Sequence, residues 1–172
     1  MTHATPNAPR VLSIDPSIKG FGFAVMEGPE ELIDWGLKIV KGNKNAECLK
    51  KVAQLIDHYN PDIIVVEDYQ HKSSRRTPRV RRLLKAILAL ALTKRVKGNS
   101  VSRARVRTAF SQNSNGQPTK HFIANEIAKR FPELAPRLPR LRKPWMSEDE
   151  RMSIFDAIAF ALTMFQTQNG NT

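Results

Sequence analysis

Apolar and polar residues change rhythm several times along this chain, and the changes predict its elements. RVLSIDP (10–16) is apolar in the middle and ends on a carboxylate. IKGFGFAVME (18–27) is a second apolar run with Gly20 and Gly22 near its start, and LIDWGLKIV (32–40) a third. The short connections, including the turn signal GPEE (28–31), make these three strands an antiparallel meander. Ala46, Leu49, Val52, Ala53 and Ile56 then recur at helical spacing, predicting a helix over 44–59 capped by Asn43 or Asn45 and closed by Asn60-Pro61. PDIIVVED (61–68) is wholly apolar until its two acids, the pattern of a central strand covered on both faces. RVRRLLKAILALALTKRV (79–96) is a helix with a basic start and a second half that is apolar almost all round. VSRARVRTAF (101–110) alternates small or apolar with basic residues, predicting a strand with one cationic face. After a polar loop (111–119) come an amphipathic helix over 120–131, an irregular proline-rich connection (132–145) and a final, strongly apolar helix over 148–167. Ser147 and Glu150 have the spacing of a capping box for that last helix. Residues 1–9 form a disordered arm, 10–167 one domain and 168–172 a tail. The order implies an α/β fold, a mixed five-stranded sheet (antiparallel meander plus parallel strands) flanked by helices.

Charge sharpens this outline. The chain has 172 residues and a net charge of +12, which implies a polyanionic partner. Its distribution is uneven. From Tyr69 to Asn125 there are fourteen Lys and Arg and no Asp or Glu, so all sixteen acids lie elsewhere. A chain basic only for solubility would mix the signs, and this segregation favours a phosphate-binding face. SSRRTPRVRR (73–82) has the density of a phosphate clamp, with Arg75, Arg76, Arg79, Arg81 and Arg82 as its cations and Lys72 just ahead of it as a further nucleic-acid-binding candidate. The single cysteine, Cys48, excludes an intrachain disulfide, and with no secretory segment it implies a cytoplasmic setting. The longest apolar stretch, AILALAL (86–92), is too short to span a bilayer.

Three acids interrupt apolar patterns. Asp15 follows Val-Leu-Ser-Ile, Glu67 follows Ile-Ile-Val-Val, and Asp156 sits inside IFDAIAFAL. Singly, Asp15 fits a turn before Pro16 and Glu67 an ion pair at a strand end. A buried carboxylate costs several kcal/mol unless it is paired or binds a metal, so three of them on separate elements suggest one shared place. An all-oxygen set suits Mg²⁺ or Mn²⁺ and not Zn²⁺. Two such ions side by side can activate water and stabilise the leaving oxygen in phosphodiester hydrolysis. Carboxylates and charge segregation together point to a metal-dependent nuclease.

Four pieces of the chain resemble the RuvC-type Holliday junction resolvases of the RNase H-like superfamily. VLSIDPSIKGFGFAVME is similar to their first hairpin and PDIIVVEDYQ to the strand that ends in a catalytic Glu. RARVRTAF followed by Lys120 resembles their basic strand and lysine, and FDAIAFAL their C-terminal helix. The resemblance implies an RNase H-like fold over residues 10–167. It makes Asp15, Glu67 and Asp156 metal ligands and puts Lys120 and Arg107 near the scissile phosphate, with Arg105 on the same basic segment. The family carries a further acid or His three residues before its last Asp, where this chain has Ser153. Asp149 is the candidate fourth ligand, provided the helix bends or starts late. The resemblance also implies a homodimer that makes paired symmetric nicks in a four-way junction, which the over-apolar helix 83–92 would serve as an interface. Tyr69, just beyond Glu67, is placed to stack on an unpaired base or to pack at the strand end. Gly20 and Gly22 would let phosphate backbone approach the metals. His71 and His121 receive no role, and no helicase partner is indicated. Two alternatives use the same residues: another RNase H-like nuclease acting on RNA or flap DNA, and a non-catalytic nucleic-acid-binding relic of the fold.

Overall fold

The computed structural model describes residues 8–170. The arm expected over 1–9 and the tail end at 171–172 therefore lie mostly outside the described residues. Three antiparallel strands, β1 (Arg10–Pro16), β2 (Gly20–Glu27) and β3 (Leu32–Ile39), form the predicted meander. α1 (Lys44–Tyr59) leads into β4 (Ile63–Glu67), which lies parallel to β1. α2 (Pro78–Thr93) leads into β5 (Lys97–Val101), parallel to β4. The sheet order is β3-β2-β1-β4-β5. α3 (Arg103–Ala109), α4 (Lys120–Arg130) and α5 (Met152–Asn169) complete the fold.

Caps explain several boundaries. The Asn43 side chain accepts from the Ala46 N–H, and Asn60 closes α1 in the left-handed conformation with φ 48°. Thr77 accepts from the Val80 N–H with Pro78 at the first helical position of α2.

Two predictions fail for identifiable reasons. The stretch 101–110 is mainly helix rather than strand. Ser102 accepts a hydrogen bond from the Arg105 N–H and starts α3, an N-cap that outweighs the alternating pattern. The fifth strand is instead KGNSV, an edge strand in which Lys97, Gly98 and Asn99 are residues that strands ordinarily disfavour. The expected capping box at Ser147 and Glu150 is not used either. α5 starts only at Met152, and its flanking residue, Arg151, makes no side-chain cap. At its other end α5 runs on to Asn169, into the segment expected to be tail.

The central strands β1, β2 and β4 are buried on both faces, as their apolar sequences require. Leu12, Ile14, Phe21, Phe23, Ile64 and Val66 pack with α1 and α2. Val11, Ala24, Met26, Ile63 and Val65 pack with α3, α4 and α5. Every residue of α5 from Met152 to Phe165 is buried. The second half of α2 serves mainly as core, burying Leu83, Leu84, Ile87 and Ala91, while Leu92 is exposed. Among the described residues no helix is long and apolar enough to cross a membrane.

Strand parity places the acids. Side chains alternate between faces, so Asp15 shares the face of Val11 and Ser13, and Glu67 that of Ile63 and Val65. Both therefore point to the α5 layer. Ser13 pairs with Val65 across β1 and β4, and extending that register by two residues sets Asp15 beside Glu67.

Candidate active site

On the other side of β1, Asp15 pairs with Gly22 of β2. The first turn of α5 lies directly over Gly22. A Cβ there would stand 2.4 Å from the Ser153 carbonyl carbon and 2.5 Å from its Oγ. The glycine therefore makes room for a helix, not for substrate backbone as expected from the sequence. Gly20 makes room for a strand instead: a Cβ there would collide with the Lys38 carbonyl oxygen of β3 at 1.8 Å. With α5 seated this closely, Asp156 comes down one turn beyond Ser153, on the face that carries Asp15 and Glu67.

Asp15, Glu67 and Asp156 are all buried, and they meet through a residue not singled out in the sequence. Arg103 Nε lies 2.7 Å from Glu67 Oε1, its Nη1 3.3 Å from Asp156 Oδ1, and its Nη2 3.5 Å from Asp15 Oδ1. The Phe160 ring, one turn beyond Asp156, lies 5.1 Å from the guanidinium carbon. The reason Arg103 was missed is the strand assignment. On a strand, Arg103, Arg105 and Arg107 would share one wet face. On helix α3 they diverge: Arg103 turns inward and Arg105 reaches the Thr167 hydroxyl near the far end of α5. Thr167 lies eleven positions beyond Asp156, roughly 16 Å along the helix. Arg107 is half-buried and forms no ion pair among the described residues.

Arg76 adds a second guanidinium. It pairs with Asp15, approaches Glu67 Oε1 at 3.3 Å and donates to the Pro16 carbonyl at 2.9 Å. The Ser74 hydroxyl donates to Glu67 Oε2 at 2.9 Å. Lys120, at the start of α4, stands 3.2 Å from Asp156 Oδ2 and 2.9 Å from Glu148 Oε1. It approaches Asp156 off the line a hydrogen bond needs, and Asp156 Oδ2 is left buried with no hydrogen-bond partner. Three acids thus face three cations. Among the described residues no group of three His, Cys, Asp or Glu side chains is close enough to hold a metal ion, and the carboxylates touch through guanidinium groups rather than one another.

The remaining expected residues sort by position. Asp15, Arg75, Arg76, Arg79, Lys120, Asp149, Glu150 and Ser153 line one cleft of about 220 Å³. Arg79 also ties the β1–β2 turn to α1, through the Ser17 carbonyl at 3.2 Å and Asn45 Oδ1 at 3.1 Å. Lys72, Arg81 and Arg82 are exposed. Tyr69 is half-buried and packs against the α1–α2 core. The late start of α5 leaves Asp149 and Glu150 on the approach to the helix, both at the cleft. The Asp149 carboxylate is engaged by Arg151, with Nη2 at 2.7 Å, and this pairing holds its pKa below the usual carboxylate range. Glu150 Oε2 is buried with no hydrogen-bond partner. The Ser153 hydroxyl donates to the Glu150 carbonyl at 2.7 Å.

The two equally buried aspartates differ electrostatically. Burial pushes the Asp15 carboxyl up to about 6; Arg76 opposes this, Asp156 adds to it, and Arg103 and Lys120 oppose it further. Burial also acts on Asp156, but Arg103 and Lys120 together pull it below its ordinary value. Asp15 is therefore the site's most readily protonated aspartate.

A mixed sheet with two acids on adjacent central strands and a third on the helix across them defines an RNase H-like fold. No protein-family model matches the chain. It is 34% identical over 90 residues to the crossover junction endodeoxyribonuclease RuvC of Akkermansia muciniphila, a match covering 48% of this chain and 54% of that one. The chain thus spans about half the length of that relative. It is 25% identical over 170 residues to RuvC of Prochlorococcus marinus strain MIT 9301, covering 94% of this chain and 99% of that one. Thermus thermophilus RuvC, solved in complex with a Holliday junction substrate, superposes with a TM-score of 0.66 at 18% identity, over 95% of this chain and 98% of that one. In sequence and in fold the chain is RuvC-like.

Two outcomes follow from this geometry. Arg103→Leu leaves three buried acids without their shared partner and is expected to cost about 3–5 kcal/mol in urea unfolding of metal-free protein. Adding Asp156→Asn is expected to recover part of that loss; an unchanged midpoint in the single variant contradicts the arrangement. The second concerns pH. The folded chain binds the Asp15 proton more tightly than the unfolded chain, whose value is near 3.8. Stability contributed by this group therefore falls as pH rises from about 4 to about 6, by on the order of 3 kcal/mol. Asp15→Asn removes that penalty, so metal-free thermal unfolding should show the variant more stable than wild type at pH 7.5, with the advantage gone by pH 4. A pH-independent difference contradicts the burial account.

Proposed function

We propose that this chain is a metal-dependent endonuclease that resolves four-way DNA junctions by paired symmetric nicks. The observation that carries the proposal is that Asp15, Glu67 and Asp156, from three separate elements, are buried around one shared guanidinium, Arg103, beside a cation-lined cleft. The RuvC names of the relatives, and the junction-bound state of one structural neighbour, support the substrate class.

The donor set suits a hard divalent cation. Every donor is a carboxylate oxygen, and Glu150 Oε2 is buried with no hydrogen bond of its own. Asp15, Glu67 and Asp156 would hold Mg²⁺, with Mn²⁺ as a substitute. Of the two acids on the approach to α5, Glu150 is better suited to the fourth position than Asp149, because Arg151 already occupies the Asp149 carboxylate. Such ions, when bound, supply an activated water and stabilise the leaving oxygen. Lys120 would hold a phosphate beside Asp156, and the backbone would run along the wall that Arg75, Arg76 and Arg79 line. The same carboxylates pair with Arg103, so cation binding and that ion pair draw on one set of oxygens. A homodimer would match the two-fold geometry of paired nicks, and exposed Leu92 at the end of α2 is a surface it could cover.

One observation favours a non-cleaving alternative: Arg76, Arg103 and Lys120 already match the three acidic charges. Incubating the chain with labelled four-way, flap, linear duplex and RNA–DNA substrates, with and without Mg²⁺, separates the readings. The expected result is Mg²⁺-dependent cutting of the four-way substrate, abolished by Asp15→Asn or Asp156→Asn while junction binding is kept. Equal cutting of linear duplex, or full activity in either variant, contradicts the proposal.

A further inference from the structure

The connection between α4 and α5 carries a concentration of charge and exposed apolar surface that neither core nor carboxylate site explains. From Leu134 to Ser147 it contains Arg137, Arg140, Arg142 and Lys143 and no acid. All four cations are exposed. None has an ion-pair partner among the described residues, whereas nearby Lys129, Arg130 and Arg151 are each paired. Three large apolar side chains protrude from the same stretch: Leu141 is 72% exposed, Trp145 78% and Met146 50%. Lys143 Nζ lies 5.4 Å from the Trp145 ring centroid, so cation and aromatic face are presented together.

The stretch also has a defined place. Pro139, Arg140, Leu141, Arg142 and Met146 line a groove of about 560 Å³ whose other wall includes Lys120 and His121. Lys120, Glu148 and Asp149 belong both to this groove and to the carboxylate cleft, which makes the two continuous.

We propose that the 137–146 segment is a second nucleic-acid-binding element that takes an unpaired DNA strand as it leaves the cleft, with Trp145 stacking on a base and Arg140, Arg142 and Lys143 on phosphates. The unneutralised cations select a polyanion, and continuity with the cleft selects the strand under attack. The exposed indole selects unpaired nucleotides, since a base inside a duplex has no free face to offer. A branch point supplies such nucleotides. The assignment rests on the reading of the adjacent cleft as a phosphodiester site, but its test does not depend on cleavage.

Binding of fluorescein-labelled dT20, a 20-base-pair duplex and a four-way junction is measured by anisotropy in EDTA with the full chain. Trp145→Ala should weaken dT20 binding at least 10-fold and duplex binding less than 3-fold, while Trp145→Phe keeps most of the dT20 affinity. Arg140→Gln with Arg142→Gln and Lys143→Gln should weaken all three and flatten the salt dependence on dT20 by about two log units per log unit of salt. With Trp35→Phe, the remaining Trp145 fluorescence should be quenched as dT20 binds. Wild-type dT20 affinity in Trp145→Ala, an equal loss on duplex and dT20, or an unquenched Trp145 would overturn the proposal. Loss of these effects with junction cleavage intact would sink the loop alone. Their presence in a chain that never cleaves would sink the nuclease reading alone.

Discussion

One guanidinium shared by three buried carboxylates organises this molecule. Arg103 reaches Glu67 on β4, Asp156 on α5 and Asp15 on β1 from the first turn of α3. Each acid alone would be an expensive burial; together with Arg76 and Lys120 they balance. The balance is uneven in detail, for burial dominates at Asp15 and the cations dominate at Asp156. That asymmetry leaves two carboxylates of one site with opposite tendencies, as neighbouring groups of a functional site often have.

The fold supplies this meeting by simple means. Period-two alternation sends Asp15 and Glu67 to the same face, and parallel pairing makes them neighbours. The missing side chain of Gly22 admits the first turn of α5, and a helix buried on all sides from Met152 to Phe165 cannot shift without exposing core. The N-cap at Ser102 ends the edge strand and turns the chain so that Arg103 points inward. Helix start positions thus decide chemistry twice. α3 begins early enough to deliver Arg103, and α5 begins late enough to leave Glu150 and Asp149 at the cleft.

Much of this was legible in the sequence. Apolar runs gave the meander, the buried central strand and α1, and acids in apolar places picked out Asp15, Glu67 and Asp156. What could not be read there has a physical cause in each case. The alternation in VSRARVRTAF suits a strand as well as a short helix, and only tertiary context chooses. KGNSV has little strand propensity apart from Val101 and is held by pairing with β4. Ser147 and Glu150 have capping-box spacing, but the chain does not turn helical until Met152. Arg103 was hidden by the first of these errors. Ser153, where an acid or His would be expected, proves to be a close-packing residue against Gly22 whose hydroxyl donates to the Glu150 carbonyl.

The central claim is that these carboxylates, now paired with Arg103, constitute a divalent-cation site. It is tested most directly by titrating Mn²⁺ into the chain and following free Mn²⁺ by electron paramagnetic resonance. The account predicts saturable binding that Asp156→Asn weakens at least 10-fold and Arg103→Leu does not weaken, because the cation and the guanidinium compete for the same oxygens. Equal Mn²⁺ affinity in wild type and Asp156→Asn, or no saturable binding at millimolar Mn²⁺, would contradict it.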